Sequence, residues 1–150
     1  MSCKAGRPVY FGDWHTVTES SVRPINFIKE KQESDGSWWG RWGVNYIYGS
    51  WLALTGLTSI GEDMSQPYVR RAMKWYEDHQ NEDGGWGETC ESYKIPSLAG
   101  KGNSTASQTA WAVMGMIAGG EKENLVVKRG VEFLLNRQEL NGSWYEGEFT

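Results

Sequence analysis

Gln80-Asn-Glu-Asp-Gly-Gly-Trp86 decides the fold, because the chain writes the same element twice more. The other copies are Gln32-Glu-Ser-Asp-Gly-Ser-Trp38 and Gln138-Glu-Leu-Asn-Gly-Ser-Trp144. The interval from Gln to Trp is six positions each time, and an aromatic (Phe27, Trp75, Phe133) stands five residues before each Gln. The copies begin 48 and 58 residues apart, which leaves room for more than one helix per repeat. Asp or Asn followed by Gly ends the helix that runs into each Gln, since Gly takes turn conformations at little steric cost. A Gln amide can bond exposed backbone groups at a helix end while its flat face lies against an indole. Each Gln-Trp pair is therefore expected to pack together and tie one helix to the next.

Outward from these elements the apolar pattern changes character by segment. Residues 1–21 carry no clear period and read as irregular. Helical patterning starts near Val22, where Pro24 fits a first-turn position and Ile25, Phe27 and Ile28 form a short apolar face. Val44–Ile60 holds no charged residue and includes Tyr46, Ile47, Tyr48, Trp51, Leu52, Leu54 and Leu57. A helix apolar all round is a buried helix. A strand is the rival reading, and the length favours the helix. Ser65 can cap the next helix, with Pro67 in its first turn. There Val69, Ala72, Met73 and Tyr76 face inward, opposite Arg70, Arg71, Lys74 and Glu77. A long loop runs from Asn81 to Gly102. Thr105–Ala118 is again uncharged and ends at Gly119-Gly120, and Glu123–Arg137 is amphipathic. Surface and buried helices thus alternate. The pattern predicts an all-α fold, an α/α toroid fragment with inner helices at Val44–Ile60 and Thr105–Ala118 and outer helices at 67–80 and 123–137. A linear helical solenoid is the runner-up.

Bulk chemistry narrows the function classes. At 150 residues the chain is one domain or part of one, and its nine Trp make a core feasible. No run of about eighteen apolar residues predicts a transmembrane helix. Residues 1–20 lack the basic start and apolar stretch of a signal peptide. A net charge of −4 without a dense basic stripe disfavours nucleic acid as a partner. Cys3 and Cys90 make no disulfide framework, so a reducing, cytoplasmic compartment is the default.

The three Gln-x3-Gly-(Ser/Gly)-Trp elements resemble the QW repeats of squalene–hopene and oxidosqualene cyclases. The segments Arg41-Trp-Gly-Val-Asn-Tyr-Ile-Tyr-Gly49, Asn81-Glu-Asp-Gly-Gly-Trp-Gly-Glu88 and Ser104-Thr-Ala-Ser-Gln-Thr-Ala-Trp111 resemble the bacterial squalene–hopene branch in particular. The resemblance covers residues 22–150 and leaves out residues 1–21. It implies a catalytic chain that folds a squalene-like isoprenoid and cyclises it through carbocations, with no cofactor. It also implies two α/α-barrel domains, peripheral (monotopic) association with a membrane surface, and a homodimer for the intact enzyme. This chain resembles the C-terminal part of the catalytic barrel.

Protonating an alkene demands an unusually strong acid, and the family uses an Asp-x-Asp-Asp motif. That motif is absent here. Asp13, Asp35, Asp63, Asp78 and Asp83 stand apart, and Asp35 and Asp83 read as turn formers. The second requirement is to stabilise cations without capturing them. Aromatic faces do this at roughly 0.5–2 kcal/mol per contact. Trp42 and Tyr48 match family positions whose rings border the reaction cavity, and these are the site residues the resemblance implies. Read from composition alone, both are ordinary core aromatics, as Trp51 and Trp111 remain.

Two further readings stay open: a non-catalytic toroid remnant, and a zinc prenyltransferase-like protein. The latter shares the toroid but needs three or four placed ligands near Cys90. Here the only His residues, His15 and His79, both precede it. Asp13-Trp14-His15 reads as surface. Lacking its acid motif, the chain alone is expected not to cyclise squalene.

Overall fold

The computed structural model describes residues 19–147. Five helices follow one another: α1 (Glu19–Glu30), α2 (Tyr46–Ser59), α3 (Pro67–Asp78), α4 (Ala106–Ala118) and α5 (Leu125–Arg137). Two 3-10 turns, Cys90–Tyr93 and Pro96–Leu98, lie in the loop between α3 and α4. Among the described residues there is no strand, only isolated bridges at the Gln-Trp turns. The uncharged segment around Tyr48 is a helix, and the fold is all-α, an α/α toroid fragment.

α2 and α4 lie side by side as the inner layer. Their contact is close because small residues let it be: a side chain at Gly115 would meet the Tyr76 ring and the Trp51 backbone. α3 and α5 pack behind them. The core is made by Ile47, Leu54 and Leu57 of α2, Val69, Met73 and Tyr76 of α3, and Ala112 and Met116 of α4, closed by Trp86. Removing this much apolar surface from water is the main stabilising term.

The three turns are built alike. Gly36, Gly84 and Gly142 sit at φ of +101°, +87° and +85°, the left-handed region that favours glycine. Asp35, Asp83 and Asn141 accept the backbone N–H two residues on, from Ser37, Gly85 and Ser143, as turn formers should. Each Trp indole N–H donates to the carbonyl ten residues earlier, on Ile28, Tyr76 and Leu134.

The Gln amides do reach backbone, but their target differs from the expected one. Gln32 Nε2 donates to Gly36 O and to Tyr68 O, both at 2.8 Å. Gln80 Nε2 repeats this with Gly84 O and Val126 O, again at 2.8 Å. Gln32 and Gln80 therefore each close their own turn and reach the first turn of the following outer helix. Gln32 pairs with Trp38, and Gln138 with Trp144, as isolated bridges, whereas Trp86 bridges to Thr105.

Three further expectations change. α1 begins at Glu19, so Pro24 lies inside the helix rather than in its first turn. Ser65 does not cap α3. It bonds Asp63, and Gln66 holds the cap position without a side-chain bond. The inner helices are not buried all round. Leu52, Met114 and Ile117 are 45%, 43% and 47% exposed, because the outer helices cover only one side of α2 and α4. Asp13, His15 and Cys3 lie outside the described residues.

Candidate functional site

Tyr48 stands in the first turn of α2, and Trp42 on the loop that leads into it. Both line a groove of about 510 Å³ with Phe27, Trp38, Trp39 and Leu52. Five aromatic side chains line it beside the charged Lys31, Glu33 and Arg41; aromatic faces attract cations and resist reacting with them.

The loop carrying Trp42 is held tightly at its base. A side chain at Gly43 would come within 2.6 Å of the Tyr48 ring, and one at Gly49 within 2.3 Å of Trp38 O. Only bare backbone lets the Tyr48 ring lie on the loop and α2 lie against the Trp38 segment. The Tyr93 hydroxyl donates to Gly43 O at 2.7 Å, and the Gln108 amide to Val44 O at 3.3 Å. Asn45 Oδ1 accepts from Gly40 N at 3.2 Å.

Glu88 is the anchor of this arrangement. Its carboxylate is 4% exposed and accepts the N–H groups of Asn45, Tyr46 and Ile47, through Oε2 at 3.2, 2.9 and 3.0 Å. These are the orphan donors at the start of α2, where the helix dipole favours negative charge. Glu88's own backbone is clamped by Gln108, whose Oε1 accepts from Glu88 N and whose Nε2 donates to Glu88 O. Burial and then the Glu88 charge hold the Tyr76 hydroxyl well above its usual pKa, and that hydroxyl donates to Ile47 O at 2.8 Å. Burial likewise raises Tyr93.

Of the two site residues inferred from sequence, Tyr48 is half-buried and packed. Its ring meets Trp51 edge-on at 5.7 Å and Trp111 at 5.0 Å. Trp51 and Trp111 stack at 6.0 Å with planes 6° apart. These two, read from sequence as core, are instead partly exposed members of one aromatic cluster with Tyr48. Trp42 is 84% exposed, with the Arg41 guanidinium 5.7 Å from its ring centroid. Trp39 was not singled out by sequence. It meets Tyr93 edge-on at 6.0 Å on the same groove. Glu88, Gln108 and Tyr93 were also missed, because their partners lie 20 to 64 residues away in sequence.

The carboxylates are placed for structure. Asp35 and Asp83 serve their turns, Asp63 accepts from Ser65, and Asp78 pairs with Lys74. Hydrogen bonds from Ser65 hold Asp63 below its usual pKa. Glu33 reaches the groove from an exposed position. His79 stacks on Trp75 at 4.4 Å, with Nδ1 2.7 Å from Trp75 O. Among the described residues no three His, Cys, Asp or Glu side chains gather as a metal site, and no helix is long and apolar enough to cross a membrane.

Comparison with known proteins agrees with this architecture. The profile of the squalene-hopene cyclase C-terminal domain matches residues 10–150, starting twelve residues ahead of Val22. The squalene–hopene cyclase of Alicyclobacillus acidocaldarius is 50% identical over 128 residues, covering 85% of this chain and 20% of that protein. A probable squalene–hopene cyclase of Sinorhizobium fredii is 42% identical over 140 residues, covering 93% and 22%. The dammaradiene synthase of Dryopteris crassirhizoma is 42% identical over 146 residues, covering 88% and 21%. The chain thus spans about a fifth of the length of these relatives. With its three Gln-Trp turns, alternating helices and a profile match over nearly its whole length, this chain belongs to the squalene–hopene cyclase family.

Proposed function

We propose that this segment forms part of the wall of a triterpene cyclase cavity, in which squalene is cyclised to hopene-type pentacycles. Trp42 and Tyr48 are its cation-stabilising faces. The observation that carries this reading is the groove they share, lined also by Trp38, Trp39 and Phe27, with the Tyr48 ring in contact with Trp51 and Trp111. In such a reaction a proton adds to one terminal alkene, and the resulting cation is attacked by successive alkenes of the same molecule. Loss of a proton from the final cation regenerates an alkene. The product is an isomer of the substrate, and no redox partner is consumed. The protein must keep water and carboxylates from the cations while lowering their energy, and aromatic rings do both. Peripheral membrane association and dimer formation of the intact enzyme belong to this same proposal.

The segment holds no Asp-x-Asp-Asp motif to donate the proton, and aromatic rings lower the energy of a cation only after it has formed. Purified chain incubated with squalene in detergent is expected to give no hopene or hydrated analogue above a no-protein control. Either product would refute the division of labour. The cavity role is tested in a chimera. The matching segment of the Alicyclobacillus acidocaldarius enzyme is replaced by residues 22–147 of this chain. Trp42→Val in the chimera is expected to lower the rate or shift products towards partly cyclised ones, with the fold retained. Unchanged rate and products would remove Trp42 from the site. A second reading, a non-catalytic toroid, draws on the 84% exposure of Trp42, and a chimera that folds but makes no cyclic product favours it.

A further inference from the structure

Residues 88–93 grip the loop that carries Trp42 at two points. At one, the Glu88 carboxylate takes the N–H groups of Asn45, Tyr46 and Ile47. At the other, the Tyr93 hydroxyl donates to Gly43 O at 2.7 Å and, more weakly, to Arg41 O at 3.3 Å. Those two carbonyls belong to the residues on either side of Trp42. Between the two points Asn45 Nδ2 donates to Ser92 Oγ at 3.4 Å, and Asn45 Oδ1 accepts from Gly40 N. The 3-10 turn Cys90–Tyr93 brings Ser92 and Tyr93 to the loop from the same short stretch as Glu88.

The two grips act on different things. Glu88 is buried and completes the start of α2, so its loss disturbs the helix itself. Tyr93 is 38% exposed, and its hydroxyl ends on loop backbone. Its ring meets Trp39 edge-on at 6.0 Å. Trp42 is 84% exposed, so packing does little to fix its ring, and its orientation must come from the backbone beneath it. Gly43 supplies the link to the other site residue. Its carbonyl is held by Tyr93, and its Cα lies so close to the Tyr48 ring that a side chain there would come within 2.6 Å of it. An aromatic face attracts a cation only within about 6 Å of its centroid, so a small displacement of the loop forfeits the contact.

We infer that Tyr93 is a positioning residue for this site: its hydroxyl fixes the backbone around Trp42, and so sets how the Trp42 and Tyr48 faces stand to each other across the groove. The inference rests on the cavity role proposed above for those two rings, and it gives Tyr93 no contact with the substrate. Because the rings act on cations rather than on the alkene, loosening one slows and misdirects cyclisation without weakening substrate binding.

The first arm of the test needs no activity. The full chain is labelled with 5-fluorotryptophan, and Trp39→Phe and Trp42→Phe assign two of the nine fluorine signals. Tyr93→Phe keeps the ring and removes the hydroxyl. It is expected to shift or broaden the Trp42 signal and leave Trp39 in place, with circular dichroism unchanged. Tyr93→Ala removes both and is expected to move both signals. An unmoved Trp42 signal in Tyr93→Phe overturns the inference. So does loss of the helical signal in that variant, which would make Tyr93 part of the fold's stability. The second arm uses the chimera. There Tyr93→Phe is expected to lower kcat by about twofold to tenfold, the worth of one hydrogen bond, with KM unchanged and more partly cyclised product. If Trp42→Val alters rate or products and Tyr93→Phe does not, the inference falls and the cavity role stands. If neither variant alters them, the cavity role of Trp42 itself falls, and the inference with it.

Discussion

The second and third Gln-Trp turns share one local design and end in different surroundings. Both hold a left-handed glycine, an Asp or Asn that caps the turn, and an indole N–H bound ten residues back. Yet Trp86 is fully buried, and Trp144 is 40% exposed. Gln80 makes a second bond to α5, whereas among the described residues Gln138 bonds only its own turn. The carboxylate two residues past each Trp follows the same rule. Glu88 is buried and holds three N–H groups of α2, while Glu146 is exposed and holds Ser107 N at 3.0 Å near the start of α4. The turn is therefore a property of its own seven residues. Its burial is supplied by the outer helix of the repeat that follows.

That separation makes paired substitutions informative. The largest difference is expected for the indoles. Trp86→Ala should cost about 3–5 kcal/mol by leaving a cavity between α3, α4 and α5. Trp144→Ala should cost less than about 2 kcal/mol, since part of that ring is already in water. Denaturant melts of both variants measure the gap, and equal losses would break the comparison. The carboxylates come next. Glu88→Gln should cost about 1.5–3 kcal/mol, because buried donors at the start of α2 lose a charged acceptor. Glu146→Gln should stay within about 0.5 kcal/mol. Near-ultraviolet circular dichroism should also report the Tyr48 environment changing in the first variant and not in the second. The smallest difference is expected for the amides. Gln80→Ala removes two hydrogen bonds and should cost about 1–2 kcal/mol, against roughly half that or less for Gln138→Ala. A larger loss at Gln138 would mean that the third turn is completed by a contact outside the described residues.

The parts legible in sequence were those written locally. The spacing of Gln and Trp, the Asp-Gly and Asn-Gly turns and the runs without charge gave three turns and the inner and outer helices. α3 and α5 begin and end within two residues of the expected bounds. The misses have one cause, dependence on distant partners. Glu88 reads as one more acidic residue in a loop, and only the fold brings it under the start of α2, 42 residues away. An uncharged run cannot say which of its faces a neighbour covers, so the exposure of Leu52 and Met114 was not legible. Pro24 reads as a helix start because Pro is favoured there, and the true start at Glu19 lies in a stretch without apolar period. Trp42 and Tyr48 came from the family resemblance. What the fold adds is that they share a groove, and that Tyr48 has Trp51 and Trp111 as neighbours.

Hydrogen exchange of the indole N–H groups tests most directly the claim that each turn is completed by the following outer helix. All three indoles donate to an equivalent carbonyl, at 2.7, 2.9 and 2.8 Å, so bond geometry alone predicts equal protection. At a concentration where the chain is monomeric, Trp38 and Trp86 should exchange only through large-scale opening, and Trp144 should exchange fastest through local opening. Protection of Trp144 equal to that of Trp86 in the monomer would contradict it.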